Sequence, residues 1–545
     1  MVSSKARLSL ARSAPIDAPL PGAGRLAALF APLDMLLCEG GDDRLDLEPG
    51  TGQNVYGCRP APRADAIAFS SSTATSISDR AYRRARRAQE SLIERACVVG
   101  LLEAFDTHIE HLRHALRGHL GLEGSGAQVV FSPSGTDSQL HVLFVAQLLL
   151  DAPLTSIVVG SDQTGSGTVH TAHARHFASR TARGRAVGKG SVIAGWTGDI
   201  AKIEIPFAEP DGAVRTGAQM DGIVLAAVAA EVERGRHVVL QAMNASKFGW
   251  RAPSDACLFE IASRWPSRVQ IVVDACQMRL SRARIADYLN RDFLVLLTGS
   301  KFFTGPPFCG ALLVPQPLSQ RLAAMSEMPA GLFDYADRSD LPQLWHGLRE
   351  DLSLRPNFGQ WLRWEAALEE MRCYYALPQS YRSAVLCGLA DAIPRVLASS
   401  VCLQYWPMPQ SLGCNGDEFD SPTVFPFLLR NGQSHLGAEE ARVIYHALNR
   451  DVSAALPPDA TPDQRTLAAR ACHIGQPVAL RLADGTQAAA LRIAIGARAL
   501  CESWSPQVDA AGLSIESVMA DIAIVVRKTE LLLKYRNRFF PAGEP

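Results

Sequence analysis

The chain has 545 residues, a formal net charge of −1, 47% hydrophobic residues and 20% charged residues, the profile of a globular enzyme with two or three domains and a large core. The charge balance argues against a nucleic-acid footprint or an anionic membrane partner, and no run is long enough to span a bilayer. The 12 cysteines form no CxxC pair and no His/Cys ligand pattern, which argues for reduced thiols in a cytoplasmic protein and against a disulfide framework or zinc site.

In chain order, MVSSKARLSLARSAP is basic, Ser-rich and free of acids, a composition shared by transit peptides and disordered tails, and with no long apolar segment after it reads as a tail. Residues 1–65 together are expected to form an extension packed on the main body. Residues 66–120 are expected to open the smaller domain. Ala66–Ser78, AIAFSSSTATSIS, is a short apolar strand running into hydroxyl residues that suit a helix cap. Apolar residues at helical spacing from Asp79 to Leu120 predict two helices with a solvated arginine-rich face.

The large domain is expected over 121–350. Its first strand, Ala127–Phe131, turns through SPSGTDS into the apolar helix QLHVLFVAQLLL. Strand, small polar turn and helix start is an arrangement whose backbone N–H groups and helix dipole bind phosphate. Ser134, Gly135 and Thr136 are therefore the candidate cradle, with an ordinary cap as the alternative. The turn lacks the GxxxxGK[ST] pattern of a P-loop. A buried strand at Ser156–Gly160 leads to His170, His173 and His176. With no carboxylate or cysteine ligand beside them, a polar helix face is expected rather than a metal site. A turn-rich insert over 209–222, a helix, the strand HVVLQ and the loop AMNASKFGWRAPS follow.

Two stretches carry the chemistry. In RVQIVVDACQ (268–277) an apolar strand ends in Asp274, which sets a carboxylate at the carboxyl edge of a buried strand, where open α/β sheets bind ligands. A helix cap is the plainer role. In FLVLLTGSKFFTGPPFCGALLV (293–314) a polar turn carrying Lys301 joins two apolar strands. An ammonium among apolar neighbours loses hydration and its pKa falls, so Lys301 is a candidate Schiff-base nucleophile. A lysine snorkelling from a strand end is the alternative.

The contexts VVDACQ and TGSKFFTGPPFCGALLV, with Asp274, Gln277 and Lys301, resemble the class V aminotransferases, the pyridoxal-phosphate family that includes cysteine desulfurases and selenocysteine lyases. The resemblance implies pyridoxal-phosphate fold type I: an α/β large domain with a mostly parallel sheet, a smaller α+β C-terminal domain, pyridoxal 5'-phosphate as cofactor and a homodimer with a shared active site. It implies that Lys301 holds the cofactor and moves protons at Cα, and that Asp274 keeps the ring nitrogen protonated as an electron sink. By the same resemblance Gln277 touches the ring hydroxyl, and Thr298 and Ser300 hold the phosphate, Ser300 standing where the family often has histidine. Asn244 and Ser246 compete for a place near the cofactor hydroxyl, with loop stabilisation as the alternative. The relatives' ring-stacking histidine falls near Gln163, Thr164 and Gly165, with His170 a nearby candidate. The strand at Ala66 takes the place of the family's N-terminal strand at the substrate mouth.

Residues 351–545 are expected to supply an interdomain helix and the small domain, with strands near 423–429 and 490–495 and a last helix near 515–535. Arg355-Pro356-Asn357 resembles the family's Thr-Pro-Asn segment, which implies that Arg355 reaches the phosphate of a neighbouring subunit. Arg492, in AAALRIAIGA, resembles the arginine that clamps the substrate carboxylate; a solvent-facing strand residue is the alternative. ACHIGQPV puts Ile474 where a desulfurase has its sulfur-accepting cysteine, so Cys472 is expected to be structural. The implied activity is transamination or β-elimination on an amino acid. Decarboxylation, a catalytically silent protein of this fold and an unrelated nucleotide-binding α/β protein are the alternatives.

Overall fold

The computed structural model describes residues 23–150, 153–196, 199–406, 417–505 and 515–539. The basic stretch over 1–15 lies outside the described residues. β1 (Ala66–Phe69) belongs to the smaller of two sheets. The larger comprises β2 (Gln128–Ser132), β3 (Leu154–Val159), β4 (Ile200–Ile205), β5 (His237–Met243), β6 (Val269–Ala275), β7 (Leu294–Thr298) and β8 (Gly310–Val314), in spatial order β2-β8-β7-β6-β5-β3-β4. Neighbouring strands from β3 to β7 pair in parallel, and β8 runs antiparallel to both β7 and β2.

The apolar runs of β6 and β7 make them central strands. Every residue of VQIVVDA and LVLLT is buried, as a parallel sheet covered on both faces requires. Alternate side chains enter two cores. Ile271, Val273, Val295 and Leu297 go to one, while Val272, Leu294 and Leu296 meet Leu140 and Phe144 of helix Gly135–Leu150 in the other. Gly310 must be glycine, because a Cβ there would stand 2.3 Å from the Ser134 carbonyl oxygen. The absence of that side chain lets β8 lie beside the turn that opens the helix.

The smaller sheet adds β9 (Leu403–Tyr405), β10 (Val424–Asn431), β11 (Ser434–His435), β12 (Ala471–Arg481) and β13 (Gln487–Ala494), in order β1-β12-β13-β10-β11 with β9 paired to β10. The helical stretch before the large sheet is divided by Gly100, whose φ of 89° ends Asp79–Val99 before Leu101–Leu120 begins. A final helix spans Glu516–Lys534. No helix among the described residues is long and apolar enough to cross a membrane.

Helix Phe358–Tyr375 is buried along most of its length and ties the extension to the site. The fully buried Arg363 guanidinium donates to the carbonyls of Phe308 (2.6 Å), Leu37 (3.0 Å), Glu39 (2.6 Å) and Gly40 (3.3 Å). One charge thus closes four carbonyls from two chain segments. Removing it leaves those acceptors buried and unpaired, at a cost of about 2–4 kcal/mol. Arg363→Leu is expected to lower the thermal midpoint by several degrees and to make residues 37–45 cleavable by protease. An unchanged midpoint would show that the extension is anchored elsewhere.

Candidate active site

The cavity at the carboxyl edge of the large sheet is walled by both sheets and the extension. Ser134, Gly135, Thr136, Asp274, Gln277, Thr298, Ser300, Lys301 and Arg492 all line it. The topology explains the convergence. β2, β6 and β7 end on this edge: the SGT sequence follows β2, Asp274 is the penultimate residue of β6, and the TGSK sequence begins at the last residue of β7.

Lys301 follows β7 by three residues, and its Nζ donates to the carbonyl of Thr73, just beyond β1. Burial, and then the positive charge of Arg492, push its pKa down to about 7. The amine is therefore substantially neutral near pH 7. Asp274 is 8% exposed and raised above the ordinary carboxylate range by burial. Its oxygens accept from the Cys276 backbone N–H (3.1 Å) and Gln139 Nε2 (3.2 Å). No cation lies within ion-pair distance among the described residues. A buried carboxylate held by neutral donors favours a cationic ligand atom.

Gly135 begins its helix against Cys276 and Thr298, where a Cβ would come within 2.8 Å of Cys276 Sγ. Its backbone is thereby packed at the base of the cavity. Thr298 Oγ1 donates to the Cys276 carbonyl at 2.7 Å, while the buried Ser300 hydroxyl has no hydrogen-bond partner. Gln277 Nε2 donates to the Ser72 carbonyl at 3.0 Å. Arg492, 2% exposed, donates to Thr73 Oγ1 (2.8 Å) and to the carbonyls of Gln476 (2.8 Å) and Lys247 (3.1 Å). It faces inward from β13, and burial pushes its pKa down to about 10.

Other expected residues stand apart from the cavity lining. Ser246 Oγ donates to Gln163 Oε1 (2.5 Å) and accepts from the N–H groups of Phe248 and Trp250, so it organises its own loop. The Asn244 backbone N–H donates to the Asp274 carbonyl (3.0 Å), and its Oδ1 is buried without a partner beside a separate cleft. Arg355 is ion-paired with Asp337 at 2.9 Å. The three histidines do not share a helix face: the helix covers only Thr168–Thr171, Ala174 adopts φ 56°, and His176 bonds the Tyr335 hydroxyl at 2.6 Å. No group of potential metal ligands forms among the described residues. Gln163 and Thr164 line the cavity and His170 does not. Cys472 is fully buried in β12, paired in register with Ile67, and burial pushes its pKa up to about 11.

Sequence reasoning missed Arg44. Its guanidinium reaches Ser134 Oγ (3.0 Å) and Thr136 Oγ1 (3.3 Å), is ion-paired with Asp42 at 2.6 Å, and lies over the Phe308 ring at 4.7 Å from the centroid. Nothing in GGDDRLD marks this arginine, because its partners lie about ninety residues downstream. Asp137, beside the same turn, is pushed up to about 7 by burial and by the charge of Asp42.

The chain matches no protein family profile and no curated protein. Solved structures do match. The cystine C-S lyase C-DES, in complex with its product cysteine persulfide, is 15% identical, covers 86% of this chain and 98% of its own, and superposes with a TM-score of 0.50. The cysteine desulfurase CsdA from Escherichia coli is 13% identical over 85% of this chain and 94% of its own, with a TM-score of 0.49. TDC from Oryza sativa, solved with PLP and tryptamine, is 15% identical over 84% and 82%, with a TM-score of 0.46. The likeness to C-DES and the sheet order establish the architecture: this is the α/β fold of the pyridoxal-phosphate fold type I enzymes.

The neutral amine of Lys301 is the reactive form, so its reactivity follows deprotonation. Competitive acetylation read by peptide mass should rise for Lys301 as pH passes through about 7 and then level off. An exposed lysine keeps rising toward about 10.4. Arg492→Leu removes a repelling charge and should move the Lys301 midpoint upward. A wild-type midpoint near that of exposed lysines would contradict the burial argument.

Proposed function

We propose that this chain is a pyridoxal-phosphate enzyme of the class V aminotransferase type, acting on an amino acid by transamination or β-elimination. The observation that carries the reading is one cavity holding a neutral lysine amine, an unpaired buried carboxylate and a helix N-terminus ringed by hydroxyls. The donor set fits the cofactor. Ser300 Oγ is a buried hydroxyl without a partner, the Gly135 backbone is packed where a side chain would not fit, and Asp274 awaits a cation.

Ser134, Gly135, Thr136, Thr298 and Ser300 would hold the phosphate, and Arg44 would supply the cation. Asp274 would keep a proton on the ring nitrogen, with Gln277 beside the ring hydroxyl and Asn244 and Ser246 fixing the adjoining loop. Bound there, pyridoxal phosphate supplies an electron sink for the pair left when a bond to Cα breaks. Lys301, neutral near pH 7, accepts the Cα proton and returns it. Arg492 would hold the substrate carboxylate by its charge and a charge-assisted hydrogen bond. A carboxylate gripped in this way is retained, which favours transamination or elimination over decarboxylation. Cys472, buried in the sheet core, is a poor sulfur acceptor. We further propose a cytoplasmic homodimer, with Arg355 contributing across the interface.

Borohydride reduction in the presence of pyridoxal phosphate should tag the Lys301 peptide, and Lys301→Ala should lose the tag. A tag retained by that variant would place the cofactor on another lysine. Arg44→Met should weaken pyridoxal phosphate binding about tenfold or more while leaving that of pyridoxal, which lacks the phosphate, unchanged. Equal losses for both would show that Arg44 does not act on the phosphate. Light scattering should give a dimer whose cofactor retention falls in Arg355→Ala. A monomer with full cofactor occupancy would refute the shared site.

A further inference from the structure

The cavity wall around Arg492 carries more positive charge than one α-carboxylate can balance. Arg279, buried close behind, donates to Thr423 Oγ1 (2.9 Å), the Ile495 carbonyl (2.8 Å) and Ser71 Oγ (2.9 Å), all neutral acceptors. Arg492 likewise meets only a hydroxyl and carbonyls. Lys247, half-buried, lines the same cavity, and among the described residues its Nζ has neither hydrogen-bond acceptor nor ion-pair partner.

The position of Lys247 is built into the loop after β5. Its N–H donates to the Gln163 carbonyl (3.1 Å), and its carbonyl accepts from Arg492 Nη1 (3.1 Å). Burial, and then the charge of Arg492, push its pKa down to about 8, and Asp162 offsets this only partly. The Asp162 oxygens are occupied by the N–H groups of Phe207 (2.8 Å) and Ala208 (3.3 Å). Of the other charges on the cavity, Arg44 has Asp42, Lys301 is the proposed cofactor lysine, and Asp274 is the sole carboxylate of the lining. A buried Arg492 and a half-buried Lys247 on one cavity, neither with a counter-ion, leave positive charge that a ligand's anions would balance. A neutral amino acid would satisfy Arg492 and leave Lys247 bare.

We propose that the substrate is an acidic amino acid, its α-carboxylate held by Arg492 and a second anionic group on its side chain held by Lys247. This rests on the pyridoxal-phosphate reading above and narrows its substrate class. A lysine that merely snorkels toward the cavity mouth would show no such preference.

The test has two arms on the full-length protein. In the holoprotein, titration of the cofactor's visible absorption should give L-glutamate or L-aspartate an affinity about tenfold or more above that of the matching amide. Lys247→Met should erase most of that ratio by weakening the acid alone, and Lys247→Arg should keep it. Without added cofactor, glutarate should raise the thermal midpoint more than butyrate does, and Lys247→Met should cancel the difference. Equal affinities for acid and amide, or discrimination that survives in Lys247→Met, would overturn the proposal while leaving the cofactor reading intact. A protein that takes up no pyridoxal phosphate would sink that reading instead, and the glutarate arm would then report separately on a two-cation anion site.

Discussion

Burial of positive charge without matching carboxylates is the constraint on which this site depends. Lys301, Lys247, Arg279 and Arg492 all leave water near one cavity, and Asp274 is the carboxylate that lines it. Burial, and then repulsion by Arg492, pushes Lys301 toward the neutral form near pH 7, while Lys247, lowered only to about 8, keeps most of its charge there. The arginines stay charged on neutral acceptors. A neutral lysine amine is a nucleophile and a base, and an arginine kept charged is a grip for an anion. Both properties arise from the same arrangement, which the two sheets impose by bringing β13, β7 and the chain beyond β1 together.

The extension completes the site from outside the two sheets. Arg363, buried in the central helix, fastens the carbonyls of Leu37, Glu39 and Gly40. Asn357 Nδ2 adds a bond to the Gly40 carbonyl at 3.1 Å. From this anchor the chain needs only four more residues to bring Arg44 over the turn of Ser134 and Thr136. The Arg355-Pro356-Asn357 segment, expected from the sequence to act across a subunit boundary, is engaged within this chain through its asparagine and through the Arg355–Asp337 ion pair. Asp42 and Asp137 lie beside Arg44, so the proposed phosphate end of the cavity is finely balanced in charge.

The legible parts of the fold were those whose pattern is local. β6 and β7 are unbroken apolar runs, the helix after SPSGTDS is apolar all round, and the strand around Arg492 stands out against its turns. β12 was not legible as a strand, because ACHIGQPVALR mixes glycine, proline and polar residues. It is held by β1 on one side and β13 on the other, with a register shift between Gly475 and Val478. β4 was hidden for a similar reason, as a half-buried edge strand carrying Lys202 and Glu204. The three-residue histidine spacing suggested a helix face, and the chain leaves the helix after one turn. In the site, Asp274 could be picked out because it ends an apolar run and Lys301 because its polar turn joins two apolar strands, whereas Arg492 was singled out only by its resemblance to a family arginine. Arg44 and Lys247 lie in polar loops, where an arginine or lysine is ordinary, and only the folded chain brings them to the cavity.

The most direct test of the central claim is a crystal structure of the purified protein with pyridoxal phosphate. The account predicts density continuous with Lys301 Nζ, the phosphate at the start of helix Gly135–Leu150 beside Arg44, and the ring nitrogen against Asp274. Density on another lysine, or a phosphate placed at Arg492 with the ring reversed, would contradict it.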